Sequence, residues 1–535
     1  MAQLIVKSHR KETKLRKGKT LLTHIERLKI KTNASCGGKG RCRGCLVKVL
    51  SGSECLAPLT TAEKKMVSSP IYRLACQAKI LRDDINLVIE VPKYMKILEV
   101  GRRLKIPLNP FVKKKHLPPI AKVYWDGKEI GDYEGEIYGL ALDVGTTTIV
   151  MYWVDLEKGK EKFIYSIRNP QVRYGNNIID RINYAKTVSQ DELERTVRRG
   201  VNEMIQQAPV NPNHIYEMVV VGNTAMRDIF MGHSVKKLGE APFEPVSSSS
   251  IHKSASKLGI NINPNAYIYA PPIIGHFVGA DALAVVLATE MYKDDNINMA
   301  IDIGTNTEII IGNKDEIYAT SAASGPAFEG SGLKCGCGAV EGAIQKVEMD
   351  DKLNVKYETI GDTQPIGICG SGLIDALAVM LDKGIINWRG RFTFEKREFV
   401  IYEDGNRIFL DGEDIDSLML AKAAIYAGTR ILMRRYGIKA SDINKVYLAG
   451  AFGTYINVRN ALKIGLLPDV PIKKIEKVGN AAVEGARQML VSKEKREEAE
   501  YIPKIAKHVR LEVDEDFQTK FIEGLCFEKY QFIKA

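Results

Sequence analysis

The sequence predicts a multi-domain α/β chain with three parts. These are a small β-rich head carrying a cysteine loop, a basic proline-containing connection and a two-lobed α/β body. Three observations predict it. Five of the nine cysteines fall in the first 76 residues, three of them inside one glycine-rich loop. An apolar strand running into Asp-x-Gly-Thr occurs twice, 159 residues apart. The length of 535 residues also exceeds one domain, at about 100–200 residues each.

Hydrophobic content of 45% and charged content of 27% exclude a disordered or collagen-like chain. Apolar runs such as residues 282–288 fall well short of the ~18 residues a membrane helix needs. The N-terminus has no apolar core followed by a small-residue cleavage site, so a cytoplasmic protein without membrane contact is expected. The net charge of +12 is uneven: residues 1–100 hold 21 Lys/Arg against 8 Asp/Glu, and residues 101–115 add six more cations. The remainder is net negative. A basic head of this kind suits an acidic partner. Nucleic acid is not expected, because no helix-turn-helix, zinc-finger or aromatic RNA-binding signature accompanies the charge.

In the head, Cys36, Cys42 and Cys45 present three thiols at C-x5-C-x2-C spacing, and Cys76 follows. Glycines between them allow backbone amides to turn toward one centre, and four thiolates in a three-plus-one arrangement suit a 2Fe–2S cluster. A closed zinc site is the alternative, but such sites usually pair two C-x2-C knuckles and only one is present. A hairpin over 3–16, a helix over 21–28 and strands over 45–50 and 86–91 follow the order of the β-grasp ferredoxins. Thr60 and Glu63 form an expected capping box. Cys55 is left as a free thiol. The head is therefore placed at 1–94 and a linker, with Pro107, Pro110, Pro118 and Pro119 among basic residues, at 95–136. A strap packed on the body is the alternative for that segment.

The body, 137–535, opens on the strand Gly139–Asp143 and the turn Gly145-Thr146-Thr147. The same pattern returns at Asp302 with Gly304-Thr305-Asn306. Gly and Thr backbone amides with Thr hydroxyls can wrap phosphate, and a strand-end aspartate can hold hydrated Mg²⁺. Two copies at domain-scale spacing suggest two related lobes facing each other. Val219–Val221 ends in Gly222-Asn223, and Val446–Ala449 ends in Gly450-Ala-Phe-Gly453, where a flat adenosine could approach the backbone. No Rossmann G-x-G-x-x-G and no P-loop is present.

Together these motifs resemble the superfamily of ATPases that includes actin, the heat-shock chaperones and the sugar kinases. Asp143–Thr148 and Asp302–Thr307 match its phosphate loops, and Gly450–Gly453 its adenosine loop. The whole chain resembles the reductive activators of corrinoid proteins, which join an N-terminal 2Fe–2S domain to such an ATPase body. Segments 324–330, 367–375 and 448–453 with 464–468 belong to the likeness.

The resemblance implies transfer of one electron from the cluster to Co(II) corrinoid, giving Co(I), coupled to ATP. It implies that Cys36, Cys42, Cys45 and Cys76 hold the cluster and that Asp143 and Asp302 organise Mg²⁺. Gly145, Thr146, Thr147, Gly304, Thr305 and Asn306 would hold phosphates, and Gly450 and Gly453 would admit adenosine. Gly222 and Asn223 fit the same scheme. The implied partners are a corrinoid methyl-carrier protein and a low-potential electron donor such as a ferredoxin; a homodimer stays open. One departure is expected: larger members carry a middle domain before the ATPase, and only about 25 residues stand here between the head's connection and the first phosphate strand.

Three rivals stand beside this reading. A small-molecule kinase would need a base such as Asp281 or Glu308. An activator of a radical dehydratase would share the body, and a redox-sensing module would bind nucleotide without turnover. Cys335, Cys337 and Cys369 are expected as buried small residues and His276 as a core histidine. The loop 324–330 could face either corrinoid or nucleotide.

Overall fold

In the computed structural model, the residues described are 2–30, 32, 38–40, 43–67, 69–92, 104–115, 121–395, 397–404 and 406–527. Cys36 and Cys42 lie outside them.

The head is a five-stranded sheet of β1 (Gln3–Val6), β2 (Lys11–Lys14), β3 (Leu46–Ser51), β4 (Tyr72–Leu74) and β5 (Leu87–Glu90), in the order β2-β1-β5-β3-β4. The first strand alternates half-buried and buried residues, as a sheet with one covered face requires. Thr20 caps the helix Leu21–Arg27, and Thr60 with Glu63 forms the full capping box expected on Thr61–Met66. Leu4, Leu21, Ile25, Leu74 and Ile89 are completely buried in the head's own core.

The segment expected as a linker folds instead into a three-stranded antiparallel sheet of β6 (Val112–Lys115), β7 (Lys122–Trp125) and β8 (Lys128–Asp132). Aromatic packing holds it down. The Trp125 ring lies 4.4 Å from that of Tyr267 and 5.4 Å from that of Phe111, and its indole N–H donates to buried Glu217 at 3.0 Å. Asn109 is tied to the body through its N–H and the Val491 carbonyl, 2.8 Å apart. The described residues 108–115 and 121–133 thus pack on the body, as the strap alternative has it.

Two sheets form the body. The first contains β9 (Tyr138–Val144), β10 (Thr148–Asp155), β11 (Lys160–Arg168), β12 (Ile215–Val221), β13 (Ile251–Ser254) and β14 (Tyr267–Ala270), ordered β11-β10-β9-β12-β14-β13. The second begins with β15 (Asn298–Ile303), β16 (Thr307–Gly312) and β17 (Ile317–Ala322). Smaller sheets follow, built from β18 (Ala343–Met349), β19 (Val355–Thr359) and β20 (Gly367–Ile368), and from β21 (Glu398–Tyr402) and β22 (Ile408–Asp411). The second main sheet then takes up β23 (Lys445–Ala449), β24 (Ile475–Gly479) and β25 (Ala506–His508), in the order β24-β23-β15-β16-β17-β25.

The two orders correspond. An antiparallel trio (β9, β10, β11; β15, β16, β17) is extended by parallel strands on the far side of its first member (β12, β14; β23, β24). Strands buried on both faces read as continuous apolar runs, and all seven residues of β12 are buried. The one acid among them, Glu217, is paired with Arg496 at 2.9 Å. Helices Ala280–Thr289 and Ala481–Val491 contribute to one apolar core shared by both sheets.

The head rests on the second lobe. Arg43, in the cysteine loop and 3% exposed, donates from Nη2 to Asn406 Oδ1 at 3.0 Å. Lys48 reaches Gln364 at 3.4 Å, and Ile366 packs against the head's core.

Candidate functional site

The corresponding turns of the two sheets meet. Asp143 is the last residue but one of β9 and Asp302 the last but one of β15, each facing a residue of the returning strand (Asp143 with Val150, Asp302 with Glu308). The first turn is fixed from behind: Asn169 donates to the Gly145 carbonyl at 2.8 Å, and Arg181 to that of Thr146 at 2.5 Å. The second is fixed by Gly325 N–H on the Thr305 carbonyl at 2.9 Å and by the Ser324 hydroxyl on the Gly304 carbonyl at 3.3 Å.

Between the turns, the hydroxyl oxygens of Thr147 and Thr305 lie 2.9 Å apart. Asn223 caps the helix Thr224–Met231 with its carbonyl oxygen and donates from Nδ2 to the Thr146 hydroxyl at 3.2 Å. Gly450 starts the helix Gly450–Tyr455 after β23 with φ +81°, and a Cβ on it would stand 2.4 Å from Asp302 Oδ1. Gly453 lies within that helix, against Leu448, so this adenosine-loop candidate is helical rather than a turn. The side chain of Asn306 has no described role, although its carbonyl accepts from Gly304 N–H at 3.2 Å.

Carboxylates crowd the floor. Burial, with Asp281 and Asp302 nearby, raises the Asp143 carboxyl well above its usual range, while a 3.3 Å hydrogen bond from Asn480 opposes the shift. Burial pushes Asp302 up to about 6, and burial with Asp302 nearby pushes Asp281 up to about 7. Glu308 is raised by burial and by the same two aspartates. Carboxyl groups gathered this way favour protons or a cation. Among the described residues no three His, Cys, Asp or Glu side chains are arranged to hold a metal ion directly. A Mg²⁺ that keeps several waters and takes phosphate oxygens, as that ion commonly does, fits such a floor.

Two residues of the cleft escaped sequence reading. Glu329 accepts from Thr305 at 3.1 Å and from Thr147 at 3.3 Å, inside the 324–330 segment whose facing side the sequence left open. Asn480 follows β24 in a Gly-Asn pair of the same form as Gly222-Asn223, a signal that was available. Asp281 and Glu308, weighed only as kinase bases, belong to the cleft floor.

In the head, the segments that carry Cys45 and Cys76 lie side by side. Ala75 N–H donates to the Cys45 carbonyl at 2.9 Å, one residue before Cys76. The Gln77 amide reaches the Gly38 carbonyl at 2.7 Å and the Cys76 sulfur at 3.6 Å, tying the loop to the fourth thiol. This donor set fits a cluster held by thiolates with nearby hydrogen-bond donors. Cys335, Cys337 and Cys369 are buried as expected, and the ring nitrogen Nδ1 of His276 pairs with the Phe243 carbonyl at 2.9 Å.

A ferredoxin-type head on a two-lobed body of the actin, heat-shock chaperone and sugar-kinase type is the class that fold and cleft define. Residues 5–81 match the family described as the 2Fe–2S iron–sulfur cluster binding domain. Residues 138–294 match the RACo middle region, and residues 296–534 the C-terminal domain of RACo, the ASKHA domain. The corrinoid activation enzyme RamQ of Eubacterium limosum is 32% identical over 92% of this chain and 94% of its own. The [Co(II) methylated amine-specific corrinoid protein] reductase of Methanosarcina barkeri is 27% identical over 73% of this chain and 77% of its own. A solved reductive activator for corrinoid, iron-sulfur protein superposes with TM-score 0.73 at 29% identity, covering 98% of both chains.

The chain belongs to the family of reductive activators of corrinoid proteins. One expectation is corrected: the middle region is present, because 138–294 is both that region and the first lobe of the body. Its strand order mirrors that of the second lobe, and its Asp143 turn repeats the Asp302 turn, which is the signal by which the sequence reads as half of an ATPase.

Proposed function

We propose that this chain is an ATP-dependent reductive activator that returns a corrinoid protein from inactive Co(II) to Co(I), ready for methyl transfer. The observation that carries the reading is the meeting of both phosphate turns, Thr147 against Thr305, in a chain of this family whose head carries the cysteine set.

When bound by Cys36, Cys42, Cys45 and Cys76, the cluster supplies the single electron that Co(II) takes up. Plant-type 2Fe–2S centres lie near about −400 mV, so a corrinoid of lower potential is reached poorly by direct transfer. Nucleotide can help only through different affinity for two conformations of the chain. In the cleft, the amides of Gly145–Thr147 and Gly304–Asn306 and the threonine hydroxyls hold the phosphates of ATP. Asp143 and Asp302 orient the waters of Mg²⁺. Asn223, next to Gly222, fixes the Thr146 hydroxyl. Gly450, by its lack of a side chain, leaves the Asp302 carboxylate room beside the turn. The basic head meets an acidic surface on the corrinoid carrier or on a donor such as a ferredoxin.

Anaerobic phosphate release by the cluster-loaded chain tests this, with and without a carrier poised as Co(II). A stimulation of about tenfold or more by the Co(II) carrier is expected, equivalent to about 1.4 kcal/mol of barrier. ADP formed without matching phosphate release when small hydroxylated acceptors are added would instead establish the kinase reading.

A further inference from the structure

We infer that Glu329 is a positioning residue that passes nucleotide occupancy of the cleft to the seat of the cluster head; the inference rests on reading the cleft as the ATP site. Glu329 ends the single helical turn Ala327–Glu329 and holds the hydroxyls of both phosphate turns, one from each lobe. A triphosphate needs the same two donors and repels a carboxylate beside it, so an occupied cleft displaces Glu329.

The displacement has no slack to absorb it. The next residue, Gly330, has φ +76°, and a Cβ there would stand 2.2 Å from the Cys337 carbonyl oxygen. One on Gly336 would stand 2.3 Å from the Gly330 carbonyl oxygen. These backbones touch without side chains between them, and close-packed interiors transmit rather than dissipate such shifts. From there the chain of contacts is continuous. Cys337 N–H donates to the Ile368 carbonyl at 2.9 Å, and Ile368 N–H to the Cys335 carbonyl at 2.9 Å. The Cys335 thiol meets the Arg407 carbonyl at 3.7 Å. Adjacent Asn406 accepts from Arg43 of the head, and Ile366, two residues before Ile368, packs into the head's core. The head is thus seated on the far end of the segment that Glu329 begins.

Amide hydrogen exchange on the full, cluster-loaded chain tests this, because exchange reports local opening. Segments 43–49 and 364–368 are followed with and without Mg²⁺ and a non-hydrolysable ATP analogue, whose affinity is measured in parallel. In the unaltered chain the analogue should change exchange at both segments by about fivefold or more. In Glu329→Gln, with the analogue still bound, the response should fall below about twofold. Glu329→Asp, too short to span both hydroxyls, should give the same loss and serves if the first variant does not fold. A seat silent to bound analogue, or a full response in both variants, overturns the inference. Failure of the analogue to bind the unaltered chain overturns the ATP reading itself, and the inference with it.

Discussion

The hydroxyl oxygens of Thr147 and Thr305, 158 residues apart in sequence, lie 2.9 Å from each other across the cleft. Each belongs to a turn whose backbone is pinned by its own lobe, through Asn169 and Arg181 on one side and Ser324 and Gly325 on the other. Under the proposed function, two turns held this way would act as two jaws on one phosphate chain. The charge that phosphate would add falls beside carboxyls already pushed toward protonation, so the proposal predicts that nucleotide binding depends on Mg²⁺.

Gly450→Ala should damage nucleotide turnover. A non-glycine residue at φ +81° costs roughly 1–2 kcal/mol, and its Cβ would press on Asp302 Oδ1. Misplacing a group by about 1 Å can cost ~100-fold in rate, and a loss of that order in phosphate release is expected. An unchanged rate would remove Asp302 and Gly450 from the site.

Cluster content should separate two cysteines of the head. Cys76→Ala should lose the visible absorption of the cluster, whereas Cys55→Ala should keep it. Cys55 is buried in its own turn, where its thiol meets the Ile85 carbonyl at 3.2 Å. Burial, aided by Glu54 and Asp84, pushes that thiol up, and iron is held by thiolate. Iron and sulfide analysis of both variants decides the point.

Stability of the head should depend on Glu63. Its carboxylate is fully buried and accepts from Arg73 Nε at 2.8 Å, from Leu74 N–H at 3.1 Å and from Thr60 N–H at 3.0 Å. Breaking a buried ion pair by removing one partner costs about 3–5 kcal/mol. Glu63→Ala should therefore lower the temperature at which the cluster's absorbance is lost, and leave the nucleotide-dependent transition of the body in place. Equal shifts of both transitions would mean that head and body unfold as one unit.

The acid limb of stability should flatten in His508→Gln. Burial, with the His276 ring tilted against it at 4.9 Å and Arg510 nearby, lowers His508 to about 4, and Glu512 opposes the shift. The unfolded chain then binds more protons than the folded one between pH 4 and 6.5. Stability therefore rises with pH across that window and is fully recovered above it. The shift bounds the effect at about 3 kcal/mol. Chemical denaturation of the nucleotide-free chain at pH 5 and pH 7.5 measures it; an equal pH difference in the variant would contradict the assignment.

What was legible in the sequence was what repeats locally. Asp143-x-Gly-Thr and Asp302-x-Gly-Thr could be paired because strand, turn and returning strand occupy consecutive residues in each lobe, and Thr60 with Glu63 because a capping box spans one helical turn. Glu329 was not legible, since its role depends on threonines 24 and 182 residues away. The strap was hidden for a similar reason. Proline and lysine spacing says extended chain, but Phe111 and Trp125 find their partners on Arg496 and Tyr267, far along the sequence. The middle region went unrecognised as such because its Asp143 turn repeats the Asp302 turn of the second lobe, so it was read as part of the body, which it is. The head's seat, Arg43 on Asn406, joins residues 363 positions apart and has no sequence signal at all.

The most direct measurement is an anaerobic electronic spectrum that follows loss of Co(II) in a corrinoid carrier. The mixture holds the cluster-loaded chain and a low-potential reductant, with Mg-ATP or without it. The account predicts Co(I) only when ATP is present, and none with Asp302→Asn or Cys76→Ala. Co(I) forming at the same rate without ATP, or failing to form with ATP, an intact cluster and several carriers, would contradict it.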